Sequence, residues 1–175
     1  MRRNYCYYSQ FAGSLAATIP DSALRAKLLT PVVNNRESVS AKARALHEAL
    51  GRVLGGGVSR WQIEQALVEA RRWMDERRAA LPALMREARS DGSELAVVLL
   101  GRPYTVLSGT MNKSIPELIG AQGVKCFSQS MLEVKPEDRA AIEPLLGSVH
   151  WAYAAQILAA AEAVGRSPSL YPVIL

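Results

Sequence analysis

The chain of 175 residues holds only two cysteines, Cys6 and Cys126, and neither stands in a CxxC pair. Two cysteines cannot make a disulfide framework, and by count alone they read as ordinary thiols. Histidine is as scarce: His47 and His150 have no His or Cys three or four residues away, so neither belongs to a helical metal pair. Arg, Glu or Gly interrupts every long apolar stretch, and none approaches the roughly 18 residues that cross a bilayer. Met1-Arg2-Arg3-Asn4 is not followed by the apolar block and cleavage site of a secretory signal, which makes a reducing, cytoplasmic setting the expectation. Neither a GxGxxG fingerprint nor a P-loop is present, so autonomous nucleotide hydrolysis is not expected. No Ser, His and Asp trio can be assembled from spacing.

What the chain does have is core material. Hydrophobic residues make up 49%, charged residues 21%, and the mean hydropathy is +0.02, which is far from the apolar depletion of disordered chains. At about 150 residues per domain, this length predicts one compact domain. The formal net charge is +5, and most of the basic residues are arginines. Arg71, Arg72, Asp75, Glu76, Arg77 and Arg78 alternate in sign, as on a solvated helix face with i,i+4 pairs. A basic stripe with interleaved aromatics is missing, so no nucleic-acid partner is expected.

Along the chain, Tyr5 to Phe11 reads as an extended piece, followed by a short helix from Pro20-Asp21 to about Leu29. Pro31 to Asn35 should be extended. Ser40 is expected to cap a helix with Ala43, Leu46, Leu50 and Val53 on one face, ended by Gly55-Gly56-Gly57. Ser59 opens the longest periodic segment, with Ile63, Ala66, Leu67, Ala70, Trp73, Met74, Leu81, Leu84, Met85 and Ala88 on one side. This predicts a long helix bent at Pro82 and closed by Asp91-Gly92. Leu95 to Leu100 is a continuous apolar run, the pattern of a strand buried on both faces of a parallel sheet. A helix over 114–121 and a strand over 124–127 complete a strand, helix, strand unit. Pro136-Glu137-Asp138 opens another helix, His150 to Val164 forms an Ala-rich one, and 171–175 reads as a third strand. An apolar strand as the last segment raises the expectation of a fragment, or of remaining parts on another chain.

The sharpest local feature is Gly101-Arg102-Pro103-Tyr104, directly after the first buried strand, with Met111-Asn112-Lys113-Ser114 downstream. Loops at the carboxyl ends of parallel strands are where open α/β sheets bind ligands. Ser114 with Glu117 reads as a capping box, which would set Arg102 and Lys113 beside free amides suited to phosphate or carboxylate. The candidate ligand-binding residues are thus Gly101, Arg102, Pro103, Tyr104, Asn112, Lys113 and Ser114; the alternative is that Gly101 and Pro103 only shape a turn. Cys6 is a candidate thiolate ligand or a structural thiol, whereas Cys126 reads as a small core residue. His150 reads as a helix-start packing residue.

Five segments in this order resemble one family: Tyr5-Cys6-Tyr7-Tyr8-Ser9-Gln10-Phe11-Ala12, Leu28-Leu29-Thr30-Pro31-Val32-Val33, Gly101-Arg102-Pro103-Tyr104, Met111-Asn112-Lys113-Ser114-Ile115-Pro116 and His150-Trp151-Ala152-Tyr153. The resemblance is to the dehydratase-like region of the large activator proteins of 2-hydroxyacyl-CoA dehydratases, which are themselves similar to benzoyl-CoA reductase and double-cubane-cluster systems. It implies ATP-driven, low-potential electron transfer to a CoA thioester or another hard-to-reduce substrate. The implied partners are an ATP-dependent activase domain or subunit and an acyl-CoA substrate. It also implies a 4Fe-4S cluster in the full-length or assembled protein, with Cys6 as a metal ligand and none expected in this chain alone, because such a cluster takes four thiolates. Relatives often read Cys-Pro-Tyr-Tyr where this chain has Cys6-Tyr7, and they continue into a Gly-Cys-Gly segment.

The expected architecture is α/β: a small, mostly parallel Rossmann-like or flavodoxin-like sheet flanked by helices, with one long helix in the N-terminal half. Residues 1–58 would form an extended and helical segment, 59–91 the long helix, and 92–175 the α/β unit. A non-catalytic anion-binding or scaffold α/β module is the rival reading.

Overall fold

The computed structural model describes residues 7–34, 37–54, 56–89 and 94–175. They divide into two compact units, Tyr7–Arg77 and Arg78–Leu175.

The first unit is helical. Helix α1 spans Tyr7–Ala16 and α2 spans Ser22–Ala26. Asp21 caps α2, its carboxylate accepting from the Ala23 and Leu24 amides at 2.8 and 3.2 Å. The first segment is therefore helical from Tyr7 onward rather than extended. Its aromatic alternation is a period-two signal, but it is too short to outweigh the helix-forming Ser14-Leu15-Ala16 that follows. Residues 5 and 6 lie outside the described residues. Helix α3 covers Val39–Leu54 and buries Ala43. Its cap is Ser38, whose hydroxyl accepts from the Ala41 amide at 3.2 Å, and not Ser40, which already sits in the first turn.

Helix α4 runs over Arg60–Ala88, 29 residues with Pro82 inside, and contributes to both units. Ser59 and Gln62 form its capping box: the Gln62 amide donates to the Ser59 hydroxyl at 3.2 Å, and the Ser59 amide donates back to Gln62 Oε1 at 2.8 Å. This reciprocal pairing satisfies two amides that have no partner within the helix. The Asp91-Gly92 stop lies outside the described residues.

The second unit is built on a parallel sheet of three strands, β1 (Ala96–Leu100), β2 (Lys125–Ser128) and β3 (Leu170–Ile174), in the order β2-β1-β3. Val97 is in register with Cys126 on one side and with Tyr171 on the other. All five residues of β1 are buried, and alternation splits them between two cores. Ala96, Val98 and Leu100 pack with Met85, Phe127, Ala160 and Val164. Val97 and Leu99 pack with Val106, and with the half-buried Ile119, Cys126, Val173 and Leu175 around them. The continuous apolar run thus becomes a central strand with no solvated face, as expected of parallel sheets. Pro172 sits in β3, an edge strand, where a missing N–H is tolerated.

Between β1 and β2 lie the one-turn helices α5 (Pro103–Val106) and α6 (Gly109–Asn112), then α7 (Ile115–Ala121). Between β2 and β3 come a 3-10 turn (Gln129–Met131), α8 (Pro136–Ala141), α9 (Glu143–Ser148) and α10 (Ala152–Gly165). The first connection supplies Val106 and Ile119 to one core, and the second supplies Ala160 and Val164 to the other. The sheet therefore carries helices on both faces. In α8 the Lys135 amide donates to Asp138 Oδ2 at 2.9 Å. Asp138 is buried and pairs at 3.6 Å with Arg166, which also meets Glu162 at 2.9 Å and so ties α8 to α10.

At the amino end of the sheet, Lys125 donates to Glu94 Oε2 at 2.7 Å and to the Ala88 carbonyl at 2.8 Å. Arg89 donates to the Glu94 carbonyl and the Ser169 hydroxyl, each at 2.8 Å. These bonds hold the end of α4 against the starts of β1, β2 and β3.

Because Leu100 is fully enclosed, Leu100→Ala is expected to lower unfolding free energy by about 2–5 kcal/mol. Leu118→Ala, at a side chain 63% exposed on α7, should stay within about 0.5 kcal/mol. Urea denaturation of both variants, with slopes compared to the parent, checks the contrast.

Candidate functional site

In the order β2-β1-β3 the chain leaves β1 toward one neighbour and later returns to its other side. The connections lie on opposite faces, so the loops diverge at the carboxyl end of β1, the position where open α/β sheets bind ligands. Gly101 is the first residue past β1.

Gly101 is buried, and its amide donates to Gln129 Oε1 at 3.1 Å, which joins the turn after β1 to the turn after β2. A Cβ built on Gly101 would lie 2.8 Å from the Leu175 carbonyl oxygen and 3.0 Å from both Thr105 Oγ1 and Val106 Cγ2. Leu175 is fixed there because its amide donates to the Leu100 carbonyl at 2.9 Å. The glycine is required by this close approach and not by an unusual φ.

Arg102 is half-buried and extended, and it precedes Pro103 at the first position of α5. Its carbonyl accepts from the Thr105 and Val106 amides at 2.9 and 3.0 Å and from the Thr105 hydroxyl at 2.8 Å. Its guanidinium donates to Tyr104 Oη at 2.9 Å and lies 5.9 Å from the Tyr104 ring centroid. Tyr104 is 54% exposed, so the arginine is held at the surface and its planar fork is partly pre-oriented.

Downstream, Asn112 is buried. It donates from Nδ2 to the Val106 carbonyl at 3.0 Å and accepts at Oδ1 from the Ser114 amide at 3.0 Å. It thereby fastens the Met-Asn-Lys segment to α5. Lys113 and Ser114 both adopt left-handed backbone, with φ of 55° and 56°, and both side chains are exposed. This corrects the capping-box expectation: Ser114 precedes α7 but makes no side-chain cap bond, because an N-cap serine needs extended backbone to reach the amide three residues on. Non-glycine residues in this region are strained, and such strain clusters at functional sites.

The structure therefore joins Gly101 to Tyr104 in one turn and links that turn to Asn112, Lys113 and Ser114 through a single buried amide. Sequence reasoning missed Gln129, Thr105 and Leu175. Gln129 follows β2 directly, so the parallel-strand pattern was the signal that pointed to its turn; its bond to Gly101 depends on strand register. Two surface depressions, one lined by Met85, Arg86, Met131 and Glu133 and the other by Glu117, Gly123, Lys125 and Cys126, do not include Arg102 or Lys113.

Among the described residues no group of three His, Cys, Asp or Glu side chains gathers to hold a metal ion. Cys126 is half-buried on β2, and burial, reinforced by the Glu117 carboxylate, pushes its thiol above the ordinary value. The Cys6 assignment lies outside the described residues. Cys126 is the one cysteine among the described residues, so these residues do not by themselves fit a 4Fe-4S cluster, which takes four thiolates.

Gly101→Ala should lower stability by about 1–3 kcal/mol in urea denaturation, since a Cβ there forces the Leu175 backbone and the packed Thr105 and Val106 side chains to shift. Unchanged stability would show that the rim yields. Alkylation of Cys126 by iodoacetamide should be slower than that of a free thiol at the same pH. Folding raises this pKa, so the stability it contributes is intact below the unfolded value and fades as pH rises through the folded one.

A scan against family models matches residues 2–132 to the CoA enzyme activase uncharacterised domain. Searches of curated proteins and of solved structures returned no match. The match takes in α1 to α7, β1, β2 and the whole Gly101–Ser114 rim. Since it spans well over half of the sequence, the chain belongs to the family of the CoA enzyme activase uncharacterised domain.

Proposed function

We propose that this chain is the dehydratase-like region of an ATP-dependent activase and iron-sulfur electron-transfer system acting on 2-hydroxyacyl-CoA or comparably hard-to-reduce substrates. Its own contribution is a ligand contact built from Gly101, Arg102, Pro103, Tyr104, Asn112, Lys113 and Ser114. The observation that carries the reading is the position of the Gly-Arg-Pro-Tyr turn at the carboxyl end of the central strand, where the sheet's two connections diverge. Membership in an activase-related family supports the same direction.

Coenzyme A presents phosphate groups, and these suit a guanidinium fork and an ammonium on adjacent turns. Arg102 would orient a phosphate through paired N–H donors, with Tyr104 holding its plane. Lys113 would add a point charge from a backbone whose direction Asn112 fixes. An activase partner would supply the ATP-driven step.

The rival, a non-catalytic anion-binding or scaffold module, is favoured by one observation: Asn112 spends its hydrogen bonds inside the turn. Calorimetric titration of the full chain with CoA, with Arg102→Gln and Lys113→Gln beside the parent, tests the ligand contact. Each variant is expected to weaken binding by about ten- to a hundredfold, the loss of one charged hydrogen bond. Lys42→Gln on α3 should leave binding unchanged. No CoA affinity in the parent would remove the ligand contact. For the redox role, iron analysis and EPR after anaerobic reconstitution of the full-length protein are decisive: iron-free but folded protein leaves the scaffold reading.

A further inference from the structure

Gln129 stands at the carboxyl end of β2, beside the end of the central strand. Ser128 is in register with Leu99, which brings Gln129 level with Leu100 and the turn into Gly101. The backbone here is held without the Gln129 side chain: the Leu132 amide donates to the Gln129 carbonyl at 3.2 Å, and the Ser128 and Ser130 hydroxyls share a hydrogen bond of 2.7 Å. The side chain itself makes one bond, accepting at Oε1 from the Gly101 amide at 3.1 Å.

That bond decides which way the carboxamide faces. A backbone N–H only donates, so the oxygen has to be the atom that meets it, and the NH2 group is turned to the other side. Gln129 is half-buried, yet its Nε2 keeps access to solvent and has no hydrogen-bond partner among the described residues. Gly101 is followed directly by Arg102, whose guanidinium reaches the surface beside Tyr104. The carboxyl end of the sheet thus offers donors from two turns, Arg102 after β1 and Gln129 after β2, and the Gly101 amide bond ties those turns together.

We infer that Gln129 is a further ligand-contacting residue of this rim, its Nε2 donating to an oxygen of the same phosphate group that Arg102 holds. The inference rests on the CoA contact proposed above and gives it a selectivity. With Oε1 taken up by Gly101, the guanidinium and the carboxamide turn only donors toward a ligand. Such a pair suits a group with several acceptor oxygens, as a phosphate has, and disfavours one that presents its own N–H or O–H. The carboxamide is already oriented by a backbone bond, so little freedom is lost when the ligand arrives.

Calorimetric titration of the full chain with CoA tests this through Gln129→Glu. The substitution keeps an acceptor for the Gly101 amide and replaces the donor by an anionic oxygen. Stability in urea should match or exceed the parent's, since the retained bond becomes charge-assisted. At mildly alkaline pH, CoA affinity should fall at least about tenfold. Protonating the new carboxyl restores an O–H donor, so the gap between variant and parent should close as pH falls toward the usual glutamic acid value of about 4.3. Inorganic pyrophosphate in excess should displace CoA from the parent. A Gln129 that only braces Gly101 predicts a variant binding CoA like the parent at every pH, and that result overturns the inference while leaving the CoA contact standing. A variant less stable than the parent overturns it too, because the Gly101 bond would then not accept a carboxylate in place of Oε1. CoA binding that pyrophosphate leaves undisturbed overturns it as well. A parent without CoA affinity removes the CoA contact itself, and this inference with it.

Discussion

The burial of β1 on both faces is the constraint on which the second unit depends. A strand of Ala96-Val97-Val98-Leu99-Leu100 with no exposed residue needs cover on each side, and three short strands cannot provide it. Helices must supply that cover, and a chain that places helices on both faces of a parallel sheet has to cross in two different directions. Val106 and Ile119 close one face; Phe127, Ala160 and Val164 close the other. The divergent loops at the carboxyl end of β1 follow from that requirement and need no separate cause.

The same constraint shapes the rim. With β2 and β3 both pressed against β1, the backbone beyond Leu100 emerges into a space already occupied by the Leu175 carbonyl and by α5. Only a residue without Cβ passes there, and the extended geometry that Pro103 imposes on its predecessor then turns Arg102 into α5 with its carbonyl bonded three times. The result is an arginine whose backbone is rigid while its guanidinium reaches the surface beside Tyr104. Rigid backbone under a charged side chain is what limits the entropy lost when an anion binds.

Much of this was legible in the sequence, for reasons that differ from element to element. The apolar run of β1 and its strand, helix, strand context were legible because burial on both faces leaves an unambiguous composition. The long α4 was legible because its apolar spacing persists over many turns. The Gly-Arg-Pro-Tyr turn stood out because glycine and proline narrow backbone choice. Other features were not legible. The Tyr7–Ala16 helix was hidden by alternating aromatics, and Ser38 and Ser40 are equally good caps on paper, separated only by where the helix axis begins. The left-handed pair at Lys113 and Ser114 could not be read at all, because neither residue type favours that conformation and the Asn112 side chain that meets the Ser114 amide is itself held by α5.

That strained pair carries an argument about what the rim is for. Each left-handed non-glycine residue costs about 1–2 kcal/mol, and glycine would adopt the same backbone without strain. The two hydrogen bonds of the buried Asn112 side chain contribute on the order of 1 kcal/mol each, enough to hold the turn but not a reason to prefer lysine and serine within it. Neither side chain is buried, so neither contributes to the core. What the two positions gain over glycine is chemical: an ammonium and a hydroxyl projected from a backbone that Asn112 fixes. The strain thus goes into the backbone direction of two exposed polar side chains, which is the feature the proposed anion contact at this rim relies on.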